Sequence, residues 1–423
     1  MKTKIIYIVT TLILALVVFV GCSEESRFEQ FPDGVYSITG GGTYTFTGEY
    51  RGQIHIDARR EDVILVFDNF TLHNPNGAAI FAPRTASVEI ILTDGSENTI
   101  SNRGDNDAIN INDDLIISGN GTLNVRGEGR HGIRSDDIII INGGTINVVT
   151  EGSALRGRDG VIINDGVITL RSDGDGIRTT LDSDTGRGFV TINGGTIDIN
   201  TGGDAIESIS NVTINGGDIR IRSRDDGIHT GDSIIITGGN LEILESSEGI
   251  EGRDVTIEGG NISITAINDG INARYPMVAD GEDPGSEPFI RMTGGHVQTN
   301  TRRDSIESDG YVFLEGGTLH VSGVTSGRPS GEIIITGGEF ISTGNMIRIA
   351  NQTTQSVISS ETIRQQLTDS LIEIKDSDEN IILSFSTPNA FSRHAVFSSP
   401  NIEYRQTYFI YINGTRTYET VSF

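Results

Sequence analysis

An acidic residue, a small residue and isoleucine recur together along the middle of the chain: Asp107-Ala108-Ile109, Asp175-Gly176-Ile177, Asp204-Ala205-Ile206, Asp226-Gly227-Ile228, Glu248-Gly249-Ile250, Asp269-Gly270-Ile271 and Asp304-Ser305-Ile306. Two copies depart from this pattern, with His131 and Ser153 in the acidic place. The residue after the apolar position is patterned too: Asn110, Arg134, Arg156, Arg178, Glu207, His229, Glu251, Asn272 and Glu307. If each copy is one coil of a stacked β-structure, equivalent residues stand in files about 4.8 Å apart. Neighbouring acids from Asp204 to Asp304 then repel by about 3.5 kcal/mol per pair at an effective dielectric of about 20, and by about 0.9 in water. Such a file asks for protons on the carboxylates or cations between them. Carboxylate oxygens are hard donors that suit Ca2+, which takes about six to eight oxygens in a flexible shell. The expected ligands are Asp204, Glu207, Asp225, Asp226, Glu248, Glu251, Asp269, Asp304 and Glu307. The same acids have another use, capping a corner of the backbone by Asx-type hydrogen bonds.

Arg134, Arg156 and Arg178 form a second file in the position after the apolar residue. A guanidinium is a planar fork that matches a carboxylate, so three in a row make an expected substrate-binding clamp for the carboxylates of acidic sugars. The bland use of the same residues is charge compensation in an acidic chain. The histidines, at 55, 73, 131, 229, 296, 320 and 394, show no zinc-ligand spacing.

The elements that would position these groups follow from a second periodicity. Glycine turns recur at Gly121, Gly144, Gly166, Gly195, Gly217, Gly239, Gly260, Gly295, Gly317 and Gly338, mostly 21–22 residues apart. Around them runs strict apolar-polar alternation, as in Thr191-Ile192-Asn193-Gly194-Gly195-Thr196-Ile197-Asp198-Ile199. Period two means strand, and a fixed period of this length means a solenoid. One unit gives about 70 Å of strand contour, enough for a coil of three short strands. The expected fold is all-β: a right-handed, single-stranded parallel β-helix over 34–350, with a small C-terminal β cap over 351–423. Ile133, Leu155, Ile177, Ile206, Ile228, Ile250, Ile271 and Ile306 should fill its interior. Asn142, Asn164, Asn193 and Asn215 should bond to backbone at a corner. Strands are expected near 53–56, 63–67 and 88–92 in the opening coils, and near 381–385 and 408–412 in the cap. Extra residues at 181–188 and 275–288 should bulge as loops, where solenoids gather binding surface.

Composition narrows the partners. The 423 residues carry a formal net charge of -27 and only three lysines, Lys2, Lys4 and Lys375. That balance disfavours nucleic acid. Lys2 and Lys4 precede an apolar run over 5–20 and then Gly21-Cys22, which reads as a signal peptide over 1–21. Phe19-Val20-Gly21-Cys22 resembles a bacterial lipobox, so Cys22 is the expected lipidation site, followed by a tether over 22–33. The expectation is an exported lipoprotein of the bacterial outer membrane or cell surface, monomeric, touching the membrane only through its lipid anchor. Cys22 is the only cysteine, so no intramolecular disulfide forms.

The alternation of Asn-Gly-Gly-Thr-Ile turns with Asp-Gly-Ile corners resembles a clostridial cell-surface β-helix family that binds cellulose and polygalacturonate. The resemblance extends over about 34–420, including Gly52-Gln53-Ile54-His55-Ile56 and Phe397-Ser398-Ser399-Pro400. It implies a polysaccharide-lyase-like fold, bound calcium and a non-catalytic, carbohydrate-binding role. The calcium implication falls only on the acidic corners above. With no Trp and 6% aromatic residues, acidic polysaccharide is favoured over cellulose. No residue is assigned a catalytic role. The alternatives are a lyase cleaving polyuronates by β-elimination, with Arg178, Arg274, Arg302 or Arg303 as base, and an adhesin or scaffold stiffened by structural calcium.

Overall fold

The structure, a computed structural model, describes residues 29–181, 186–275, 285–323, 332–344, 347–366, 368–387 and 391–423. The expected signal peptide and Cys22 lie outside them, as do 182–185 and 276–284 of the two expected loops. The chain divides into two compact units, residues 1–202 and 203–423.

Both units are parallel β-helices with three strands per coil. In the first unit one coil is Ile133–Ser135, Ile138–Ile141 and Thr145–Thr150. The next is Leu155–Gly157, Gly160–Ile163 and Val167–Ser172. The coils stack in register, with Ile133 beside Leu155, Ile141 beside Ile163 and Thr150 beside Ser172. In the second unit Ile228–Thr230, Ser233–Ile236 and Asn240–Glu245 lie under Ile250–Gly252, Asp254–Ile257 and Asn261–Ala266 in the same way. The expected opening strands are present within Gly42–Asp57, Asp62–Asn74 and Ser87–Leu92. The first strand, Glu29–Ile38, begins inside the stretch read as a tether.

Alternation decides which residues enter the core. In the three-residue strands the first and third positions face the interior and the middle one faces away from it, although Glu251 and Asn272 at middle positions are themselves buried by their neighbours. All eight residues of the expected isoleucine-leucine ladder are buried. The middle positions carry the Arg, Glu, His and Asn residues singled out above, so the shortest strand of each coil presents the candidate chemistry.

The corners explain the glycines. Gly239 has φ +87, a left-handed conformation that costs an L-residue. A Cβ there would lie 2.8 Å from the backbone of Gly216 and of Gly217, one coil below. The asparagines at the same corner behave differently from expectation. Asn164 Nδ2 donates to Asn142 Oδ1 (2.7 Å) and Asn193 Nδ2 to Asn164 Oδ1 (2.8 Å), so these three side chains bond to one another, while Asn215 Oδ1 accepts from the Thr237 hydroxyl (2.9 Å). An amide carries both donor and acceptor, and in-register stacking brings each donor to the acceptor below.

Parallel stacking ends at Arg348–Ile349. The strand Glu339–Thr343 pairs antiparallel with Phe391–Ser398, which also pairs with Val357–Gln366. A four-stranded antiparallel sheet of Leu371–Lys375, Ile381–Ser386, Thr407–Ile412 and Thr415–Val421 completes the cap. Ile372, Ile374, Phe385 and Ile410 of this sheet share one buried cluster with Ile341 and Phe397. The cap thereby covers a coil end that would otherwise expose unpaired apolar surface.

Gly239→Ala should lower stability by about 2 kcal/mol or more, from left-handed strain plus backbone overlap. Gly231→Ala, where a Cβ meets nothing within 4 Å, should leave it nearly unchanged. Urea unfolding of the two variants beside the unmodified protein measures the difference.

Candidate functional site

The corner acids do act as caps. In the second unit Asp204 Oδ1 accepts the Asp226 N–H (2.9 Å), Asp226 Oδ1 the Glu248 N–H (3.0 Å) and Asp269 Oδ1 the Asp304 N–H (3.0 Å). In the first unit Asp107 Oδ1 accepts the His131 N–H (3.2 Å), and His131 Nδ1 accepts the Ser153 N–H (3.0 Å). His131 thus performs an acid's cap without a negative charge, which fits its pKa being lowered to about 4, chiefly by burial. Each cap occupies one carboxylate oxygen and leaves the other for a second task.

Among the described residues, carboxylate oxygens gather in three places, all in the second unit. Asp204, Asp225 and Asp226 bring one oxygen each within 4.8 Å of one another, as do Asp226, Glu248 and Glu251, and Asp269, Asp304 and Glu307. Eight of the nine expected calcium ligands are therefore grouped, and Asp226 belongs to two groups. Glu207 is in none of the three and stands in register with His229.

The electrostatics show what this grouping costs. Burial, then repulsion from Asp204, raises Asp226 to about 7, even though the Glu248 N–H donates to it. Glu251, 1% exposed, is raised to about 8 by burial and by its contact with Glu248. Burial works to raise Glu248 as well. Hydrogen bonds from Glu251 and Asn272 and the charges of Arg274 and His229 outweigh it and hold Glu248 below the usual range. Burial and Asp269 raise Asp304 to about 6 and Glu307 to about 7.

Basic and amide groups knit the file together. His229 Nδ1 lies 3.4 Å from Asp204 Oδ2 and its Nε2 3.5 Å from Glu251 Oε1. The bond to Asp204 raises its pKa to about 9 despite burial. Asn272 Nδ2 donates to Glu248 Oε2 and Glu251 Oε2, both at 3.1 Å, and the Arg274 guanidinium contacts Glu251 Oε1. That buried oxygen has hydrogen-bond geometry to neither Arg274 nor His229. Sequence reasoning set the histidines aside for lack of zinc spacing. The signal for His229 was its phase, one coil above Glu207 and one below Glu251.

The residues present fit a hard divalent cation. Each group offers three carboxylates, and burial, followed by the effect of neighbouring acids, raises the pKa of Asp226, Glu251 and Glu307. Backbone carbonyls and water would supply the remaining oxygens of a calcium shell. A groove of about 390 Å³ is lined by Glu245, Ser246, Ile267, Asn300 and Arg302 among others, residues that precede the corner acids 248, 269 and 304 in sequence.

The arginine file lies in the first unit. Arg134, Arg156 and Arg178 are in register on adjacent coils. Arg134 pairs with Asp107 (3.4 Å) and with Asp136, and Arg178 with Asp175 (3.0 Å). Arg156 donates to the Thr180 hydroxyl (3.2 Å), and burial and Arg134 lower its pKa.

Three comparisons bear on this arrangement. A family model described as carbohydrate-binding domain-containing protein matches residues 32–226 and 223–384. A carbohydrate-binding domain-containing protein of Acetivibrio thermocellus is 34% identical over 109 residues, an alignment covering 23% of this chain and 38% of that protein. The chain therefore spans well under half the length of that relative. A polysaccharide lyase-like protein from C. thermocellum, solved as a gadolinium derivative, is 30% identical with a TM-score of 0.47 over 49% of this chain and 88% of its own. With the family model running over most of the chain, from 32 to 384, the protein belongs to the family of carbohydrate-binding domain-containing proteins.

Proposed function

We propose that the protein binds acidic, uronic-acid polysaccharide in a calcium-dependent manner, without cleaving it, as a surface lipoprotein anchored through Cys22. The observation that carries the reading is the set of three carboxylate groups along one file of the second unit. Calcium ions there would neutralise the file and leave open coordination positions for the carboxylates and hydroxyls of a glycan. The groove lined by residues that precede the corner acids in sequence offers room for a glycan chain. In the first unit Arg156, bonded to a hydroxyl and crowded by Arg134, would gain from an incoming carboxylate. The net charge of -27 makes such mediation necessary, because a polyanion otherwise avoids this surface.

A second reading rests on Arg274. It touches Glu251 at the edge of the Asp226, Glu248 and Glu251 group, where a calcium-polarised uronate and a base would have to meet for β-elimination. The binding reading is preferred because that guanidinium is already engaged by a carboxylate.

The raised pKa values fix the sign of a pH dependence. A carboxyl whose folded pKa exceeds its unfolded value adds stability that is complete below about pH 4 and lost as pH rises through the folded pKa. For Asp226, Glu251, Asp304 and Glu307 that window closes between about 6 and 8, and His229, raised to about 9, acts with the same sign. Without calcium, the melting temperature should therefore fall between pH 5 and pH 9, and calcium should restore it most at the alkaline end. Calorimetric melts with calcium or chelator check this; a chelator-insensitive melt at pH 8 would remove the metal from the reading. Calcium-dependent retardation in a polygalacturonate gel should weaken about tenfold in Arg156→Ala, the loss of one charge-assisted pair. Ultraviolet absorbance of polygalacturonate with protein and calcium should stay flat. A steady rise in unsaturated uronide, abolished in Arg274→Ala, would establish the lyase instead.

A further inference from the structure

The four-residue strands of the second unit carry an outward feature that the acid file does not use. Phe289–Met292 and Tyr311–Leu314 lie on adjacent coils with Phe289 beside Tyr311 and Arg291 beside Phe313. Their inward residues, Ile290, Met292, Val312 and Leu314, are buried and fill the core. Phe289, Tyr311 and Phe313 are thus surplus to the interior, and all three are partly exposed. On the coils below, the same outward places hold Asp254 and Thr256, then Ser233 and Ile235. Glu332 and Ile334 follow above. The rings are confined to two coils.

We propose that Phe289, Tyr311 and Phe313, rimmed by Arg291 and Glu315, form a subsite that stacks a pyranose ring of the bound polysaccharide. The Arg291 guanidinium lies 4.5 Å from the Phe313 ring centre and 5.7 Å from that of Phe289, and it contacts the Glu315 carboxylate. Stacking on rings and pairing with Glu315 hold the fork in place, so it can donate to sugar hydroxyls with little further loss of entropy. Glu315 supplies acceptors on the same rim. The apolar C–H face of a pyranose covers the rings while its equatorial hydroxyls reach this pair, which is the mixture of aromatic wall and few fixed polar groups that a small-ligand site needs.

The ring geometry narrows the ligand. Phe289 and Phe313 meet at 70° with centres 6.5 Å apart, and Tyr311 and Phe313 at 44° and 6.0 Å. Three tilted rings make a notch rather than a plane. A notch accepts one sugar of a soluble single chain and cannot lie flush on a flat crystalline face. The stacking chemistry is shared by neutral and acidic pyranoses, because it reads the C–H face and hydroxyls rather than a carboxylate.

The subsite rests on the carbohydrate-binding reading but not on calcium, and the experiment separates the two. The test is retardation of the mature protein in gels of polygalacturonate and of a soluble neutral β-glucan, each with calcium and with chelator. Phe289→Ala and Tyr311→Ala should each weaken retardation about tenfold, the loss of one anchoring aromatic, in whichever gel retards the unmodified protein. Tyr311→Phe should keep it. Phe289→Leu, which preserves apolar packing but removes the aromatic face, should lose binding while melting like the unmodified protein, and it guards against a folding defect in the alanine variants. Unchanged retardation in Phe289→Leu and Tyr311→Ala would overturn the subsite and leave calcium-dependent binding standing. Retardation that ignores chelator but falls in these variants would overturn the calcium reading and uphold the subsite. Failure of both gels to retard the unmodified protein would overturn both.

Discussion

In-register parallel stacking is the constraint on which everything else in this protein depends. Each coil sets its residues beside their equivalents on the next, as Ile228 beside Ile250 and Ile250 beside Ile271 show. For apolar residues the result is a continuous core. For amides it is a self-bonded ladder, as with Asn142, Asn164 and Asn193. For charges it is a file of like neighbours, because a strand register that suits the core leaves no freedom to move an unwelcome charge aside.

The two units answer that constraint with opposite signs at the same outward place. In the first, Arg134 and Arg178 are each neutralised by corner aspartates, Asp107 and Asp175. In the second, the outward place carries Glu207, Glu251 and Glu307 above corner acids, so both files are negative. His229 and Asn272 interrupt the outward file, and their donors go straight to the acids around them. Even with these interruptions, burial and neighbouring acids raise the pKa of Asp226, Glu251 and Glu307.

Most of the fold was legible because the period of Gly195, Gly217 and Gly239 and the alternation around them have one solution. Phase brought most of the grouped acids together, although Glu207, in the same phase as Glu251 and Glu307, joins none of the three groups. What phase did not show was which atoms meet across coils. The asparagine ladder was assigned to backbone because side-chain registry is invisible before strands are paired. His229 was missed because a metal-ligand search along the sequence looks for short spacings, whereas its partners Asp204 and Glu251 are a coil away on either side. Phe289, Tyr311 and Phe313 escaped for the same reason: their 22-residue separation says nothing until Phe289 is placed beside Tyr311.

The coils that lack an acid at the corner show that its structural task does not require negative charge. The corner needs one acceptor for the next coil's N–H, and His131 supplies it to Ser153 without negative charge. Asparagine could do the same at Asp204, Asp226 and Asp269, keeping the hydrogen bond and removing the repulsion. Five successive coils keep a carboxylate there instead, and three add another in the outward place. Natural sequences accept local conflict of this kind where a site must be ready for a ligand, and the compensation arrives with that ligand. On the proposed reading, a cation between the carboxylates would remove the repulsion and, in the same step, turn an anionic surface into one that an anionic glycan could approach. Stability and binding would then respond together to one ion, while the proposed aromatic notch at Phe289 and Tyr311, built from neutral rings, would stay outside that linkage.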